Sequence, residues 1–127
     1  MTSDDASAFE LHLDATAPVV ADIARALRLT VIAGFPDAVE TFDRGDGILA
    51  IGRGRSMRDF LFAIIAHKAY VNLQLIDGVD LPNPDGRIEG TGKRVRHVKV
   101  RSVEDAGATW VRSVIAAQVA HRATSPA

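Results

Sequence analysis

The chain has 127 residues, 47% hydrophobic and 24% charged, the proportions of one ordinary globular domain that buries roughly two-thirds of its unfolded surface. It has no cysteine, which excludes disulfides, thiolate metal centres and cysteine nucleophiles, and no apolar run approaches the ~20 residues of a membrane span. The net charge of −1 hides an asymmetry: residues 1–50 carry three Lys/Arg against nine Asp/Glu, and residues 51–127 carry twelve against seven. Such halves can meet across the fold or across a homo-oligomer, or face different ligands.

In chain order, residues 1–8 are small and polar and are expected to be disordered, and they lack the apolar core of a signal peptide, which points to a cytoplasmic protein. Residues 9–13 alternate and read as a short strand, with Phe9, Leu11 and Leu13 on one face. Thr16 as N-cap and Pro18 in the first turn open a helix, whose stripe is Val19, Val20, Ile23, Ala24, Leu27 and Val31. Gly34 and Pro36 end it.

Residues 39–43 and 48–52 then form a hairpin around Arg44-Gly45-Asp46-Gly47. Its carboxylates, Asp37, Glu40, Asp43 and Asp46, are a candidate set of oxygen ligands for a hard cation, although the spacing is not that of an EF-hand. Residues 58–66, almost wholly apolar, predict a central strand. Residues 70–76 alternate as a half-buried strand, and residues 95–101 alternate again. Between those two strands, Pro82, Pro84, Gly86, Gly90 and Gly92 supply turn chemistry, and the Walker phosphate-loop pattern fails there. Ser102 and Asp105 make a near capping box for a last helix running to about residue 122, with a buried stripe of Val103, Trp110, Val114 and Ala117 and with Val111 and Ile115 beside them. Trp110 reads as core. The expected domain is 9–122, with 123–127 a disordered tail.

This order predicts an α+β fold: an antiparallel sheet of about five to six strands packed against N- and C-terminal helices. The wording of residues 67–73, of Ile76-Asp77-Gly78-Val79-Asp80-Leu81, of Pro84-Asp85-Gly86, of Glu89-Gly90-Thr91-Gly92-Lys93 and of Arg96-His97-Val98 resembles the YdhG-like family of small bacterial domains, over residues 17–122. The resemblance implies a frataxin-like two-layer sandwich, and one branch of that family is described as an intracellular iron chaperone. Frataxin-type iron binding uses an acidic ridge on the first helix; here that helix holds only Asp22, leaving the hairpin carboxylates, or Asp4, Asp5, Glu10 and Asp14, as substitutes.

The expected function is a non-catalytic binding or carrier module, for iron or another metal ion in one version. A second version is a module for anions or acidic proteins using His97, Lys99 and Arg101, which project together from one strand and are joined by Lys93. In a third, His67, beside Lys68 and Tyr70, serves a small-molecule enzyme, although neither HExxH nor G-x-S-x-G spacing is present. Nucleic acid is disfavoured because no aromatic residues interleave with the basic ones.

Overall fold

A computed structural model describes residues 4–124. Helices α1 (Asp4–Asp14) and α2 (Pro18–Gly34) lead into strands β1 (Val39–Asp43), β2 (Ile48–Gly52), β3 (Phe60–Ala66), β4 (Val71–Leu75) and β5 (Arg96–Val100), and the chain ends in α3 (Val103–Ala106) and α4 (Thr109–Thr124). The strands form one sheet in the order β1-β2-β3-β4-β5, each antiparallel to its neighbours. The fold is thus the expected α+β arrangement. Among the described residues no helix is long and apolar enough to cross a membrane.

One sheet face meets the helices. Phe42, Leu49, Ile51, Phe62, Ile64, Leu73 and Val98 lie on it and join Ile23, Leu27 and Val31 of α2 in the core. Fully burying each such side chain contributes roughly 1.5–3 kcal/mol. On the opposite face the register lines up Thr41, Ala50, Ala63, Gln74 and His97 in one row across all five strands, and Asp43, Ile48, Ile65, Asn72 and Lys99 in the next. The hairpin turn between β1 and β2 needs its glycine twice over. Gly47 has φ +68°, and a Cβ there would lie 2.7 Å from the His12 ring.

Several expectations are corrected. Residues 9–13 are helical, within α1, and residues 4–8 belong to the same helix; residues 1–3 lie outside the described region. Phe9 and Leu13 are four apart and both buried, which suits helix and strand alike. Leu11 decides between them, since alternation would bury it and it is 69% exposed. The N-cap of α2 is Ala17, without a side-chain cap; Thr16 instead donates its hydroxyl to the His12 carbonyl. Val19 is exposed, and Ala21 takes its place in the buried stripe.

The C-terminal helix breaks in two. Ser102 caps α3 by accepting from the Asp105 N–H (3.0 Å), but Gly107 closes that helix after one turn and α4 starts anew. The restart rotates the face: Val111, Ile115 and Gln118 are buried, whereas Val103 is exposed and Trp110 is half-buried. Residue 124 still closes α4, so the expected tail is helical to there, and residues 125–127 lie outside the described region.

Ion pairs bind the layers at their margins. Arg25 of α2 reaches Glu10 (2.8 Å) and Asp14 (3.2 Å) at the end of α1, and Arg28 clasps Glu40 on β1 (2.7 Å). A deeper polar cluster centres on Asp77, 4% exposed, just after β4. Its Oδ2 accepts from Gln118 (2.7 Å) and from both Nε (3.0 Å) and Nη2 (2.8 Å) of Arg122; its Oδ1 accepts from Arg94 (2.8 Å). The Asp77 N–H donates back to Gln118 Oε1 (2.8 Å). Burial works to raise the Asp77 pKa, but the hydrogen bonds from Gln118, Arg94 and Arg122 outweigh it and hold the carboxyl below its ordinary 3.8.

Asp77→Ala leaves the buried Gln118 amide without its acceptor and the half-buried Arg122 without its counter-ion, and is expected to cost about 3–5 kcal/mol in urea denaturation. Because the folded pKa is depressed, the charged form's stabilisation is complete above about pH 4 and is lost as pH falls through the lowered value. An Asp77→Asn protein should therefore show a flatter loss of stability on the acid side than the wild type.

Candidate functional site

Strands β4 and β5 run antiparallel, with Val71 opposite Val100 and Asn72 opposite Lys99. The start of β4 therefore lies beside the end of β5, and residues that are far apart in the chain converge on the ring of Tyr70. Lys99 Nζ sits 5.1 Å and the Arg101 guanidinium 5.7 Å from its centroid. The His67 imidazole stacks on the same ring, centroids 5.0 Å apart and planes 26° apart. His67, Lys99 and Arg101, read from the sequence as two separate features, form one basic cluster around an aromatic that the sequence offered only as a neighbour of His67.

The chain places each of these groups for a local reason. Tyr70 precedes β4, and its carbonyl accepts from the His67 N–H (2.8 Å), closing the tight turn that brings the imidazole over the phenol. Lys99 projects from the open face of the edge strand β5, opposite Asn72. Asn72 Nδ2 lies 3.1 Å from His67 Nε2, while Asn72 Oδ1 is buried without a partner. The same amide, turned over, would accept from a ring protonated at Nε2, so Asn72 can serve either state of His67.

Glu89 is the counter-ion. It forms an isolated bridge with β5 through Glu89 N–H to His97 O (2.8 Å) and His97 N–H to Glu89 O (3.0 Å). Its Oε1 stands 3.6 Å from His97 Nε2 and 3.7 Å from Lys99 Nζ. Arg101 has no carboxylate within ion-pair distance of its guanidinium among the described residues; only its backbone N–H is engaged, by Asp105. The cluster thus carries one half-neutralised cation, Lys99, and one free cation, Arg101, both held against a π-face. That arrangement can hold a carboxylate or another anion. His67 itself faces an amide and a ring instead of a carboxylate.

The remaining expected site residues are not gathered there. Lys68 is exposed in the turn before Tyr70, and Lys93 is exposed in the connection before β5. The four hairpin carboxylates do not assemble either. Glu40 faces the helices and is held by Arg28, while Asp43 points the other way and caps its own turn, accepting from the N–H groups of Gly45 (2.9 Å) and Asp46 (3.2 Å). Asp37 and Asp46 are exposed. Among the described residues no three His, Asp or Glu side chains gather as a metal site.

Sequence reasoning also missed a groove of about 610 Å³ between the connection that follows β4 and the outer side of α4. Pro82, Pro84 and Ile88 form one wall and Trp110, Val114 and Ala117 the other, and the Arg87 guanidinium lies 4.3 Å over the Trp110 ring. The signal available in the sequence was Pro-rich text ending in an arginine, opposite the one tryptophan of the chain. No family model, curated protein or solved structure matches this chain.

Tyr70→Ala removes the surface that two cations and an imidazole share. At roughly 0.5–1 kcal/mol for each exposed cation–π contact, the expected loss is about 1–2 kcal/mol in urea denaturation. Tyr70→Phe keeps the ring and should stay within about 0.5 kcal/mol of wild type.

Proposed function

We propose that this protein is a non-catalytic binding module of YdhG-like type that holds an acidic segment of a protein partner on the Tyr70 ridge. The observation that carries the reading is the convergence of Lys99, Arg101 and His67 on one exposed edge of the sheet, around one ring. A partner carboxylate can take the place of Glu89 on Lys99 and find Arg101 unengaged, while the phenol ring accepts the aliphatic part of the same segment. Rim charges of this kind steer association and make it salt-dependent. The likeness of residues 67–98 to YdhG-like text supports the same layout of sheet and helices. A cytoplasmic setting, consistent with a cysteine-free chain, belongs to the same reading. The iron-carrier version draws no support from the hairpin, whose carboxylates are apart and partly engaged.

The test is a titration of the isotope-labelled protein with a Glu-rich peptide, followed by amide chemical shifts. Shifts should centre on residues 67–72 and 97–101, and raising salt from low ionic strength to about 0.15 M should weaken the complex, since exposed charges are then screened beyond ~8 Å. The Lys99→Glu/Arg101→Glu protein should lose binding by about tenfold or more, corresponding to at least ~1.4 kcal/mol. Arg44→Glu, in the β1–β2 turn at the other side of the sheet, should bind as wild type does. Equal loss in both proteins would reduce the effect to net charge and remove the site.

A further inference from the structure

The groove beside Trp110 is separate from the ridge in chemistry and in surroundings. Its volume, about 610 Å³, is that of a small-molecule site. Its loop wall is preorganised: Asn83 closes the loop through its amide, with Nδ2 donating to the Ile88 carbonyl (2.9 Å) and Oδ1 accepting from the Ile88 N–H (3.0 Å). Gly86 lies within that closed loop at φ +68°, and Ile88, 8% exposed, anchors its end in the core. The opposite wall is the helix α4. A ligand entering the groove therefore meets surfaces that need little ordering, which is where affinity is usually lost.

The polar equipment of the groove is asymmetric. Arg87 lies on the Trp110 indole and, among the described residues, has no hydrogen-bonding or ion-pair partner for its guanidinium. Its fork of N–H donors is thus oriented by the ring but unused, a geometry suited to a bidentate carboxylate. Asp85 stands on the same wall and disfavours a second negative group. Thr109 and Ser113 add two hydroxyls on the α4 wall, and the remaining lining beside Trp110, Pro82, Pro84, Ile88, Val114 and Ala117, is apolar.

From this we infer that the groove is a binding site for a small aromatic monocarboxylate, its carboxylate on Arg87 and its ring body between Pro82, Ile88 and the Val114–Ala117 face of α4. A dianion of the same size is disfavoured by Asp85, and a neutral analogue forgoes the contact with Arg87.

Trp110 is the one tryptophan of the chain and reports on the groove directly. The probes are naphthoate, its neutral counterpart naphthylmethanol and naphthalene dicarboxylate, followed by Trp110 fluorescence and by calorimetry. Naphthoate should bind saturably, more tightly than either of the others, with amide shifts at residues 82–88 and 109–117. Arg87→Gln, at an exposed loop position that leaves the fold intact, should weaken naphthoate about tenfold and change naphthylmethanol by less than about twofold. Asp85→Asn should bring the dicarboxylate up towards naphthoate. No saturable binding of naphthoate, an equal loss of both probes in Arg87→Gln, or shifts confined to the Tyr70 ridge would each overturn the assignment. So would a proline-rich peptide that saturates the groove where naphthoate does not.

Discussion

A carboxylate with almost no access to water is costly unless every lone pair is met, and Asp77 is the point at which this chain satisfies that requirement with three side chains from two places. Arg94 comes from the connection before β5, and Gln118 and Arg122 come from α4. Arg122 also donates to the Arg58 carbonyl (3.1 Å), just before β3, so the same side chain ties the centre of the sheet to the C-terminal helix. The position of α4 over the sheet, and therefore one wall of the Trp110 groove, depends on this cluster. So does the path of the connection between β4 and β5, which Arg94 pins near its end. A hydrophobic helix face alone would allow α4 to slide or rotate; a buried carboxylate with fixed donors permits one arrangement.

Much of the architecture was legible because it is local. The hairpin announces itself by two short runs around the turn residues Gly45, Asp46 and Gly47, and the apolar run of β3 marks the centre of the sheet. Helix α2 shows a stripe long enough to fix its period. The failures lie where the signal is short or the partner distant. In α1 the pair Phe9 and Leu13 fits both periods, and only the exposure of Leu11, a tertiary fact, separates them. In the C-terminal region the expected single helix ends at Gly107, and the helix after it presents a different face.

The site was half legible for the same reason. Alternation correctly put His97, Lys99 and Arg101 on one side of a strand. That His67 would stand with them depends on the register of β4 against β5, set across the long connection of residues 76–95 and beyond the reach of local pattern. Trp110 reads as core in any helical projection that runs through Gly107; the break moves it out to meet Arg87. Asp77, Gln118 and Arg122 each look like ordinary surface polar residues in the sequence, and their burial is visible only once α4 is docked.

The small bridge between Glu89 and His97 bears on the kind of contact this protein can make. Edge strands expose unpaired N–H and C=O groups that recruit further strands, in functional complexes and in aggregation alike. On β5 the outward pair at His97 is already taken by Glu89, and the N–H of Arg101 is covered by Asp105. Lys99 is left between two occupied positions, too short a stretch to nucleate a ladder. The sheet is thus closed to strand addition on the side where its cations are displayed, and a partner arriving there must be recognised through side chains alone. Specificity at that edge is accordingly a matter of charge and ring placement, and β5 presents a sticky electrostatic surface without presenting a template for a further strand.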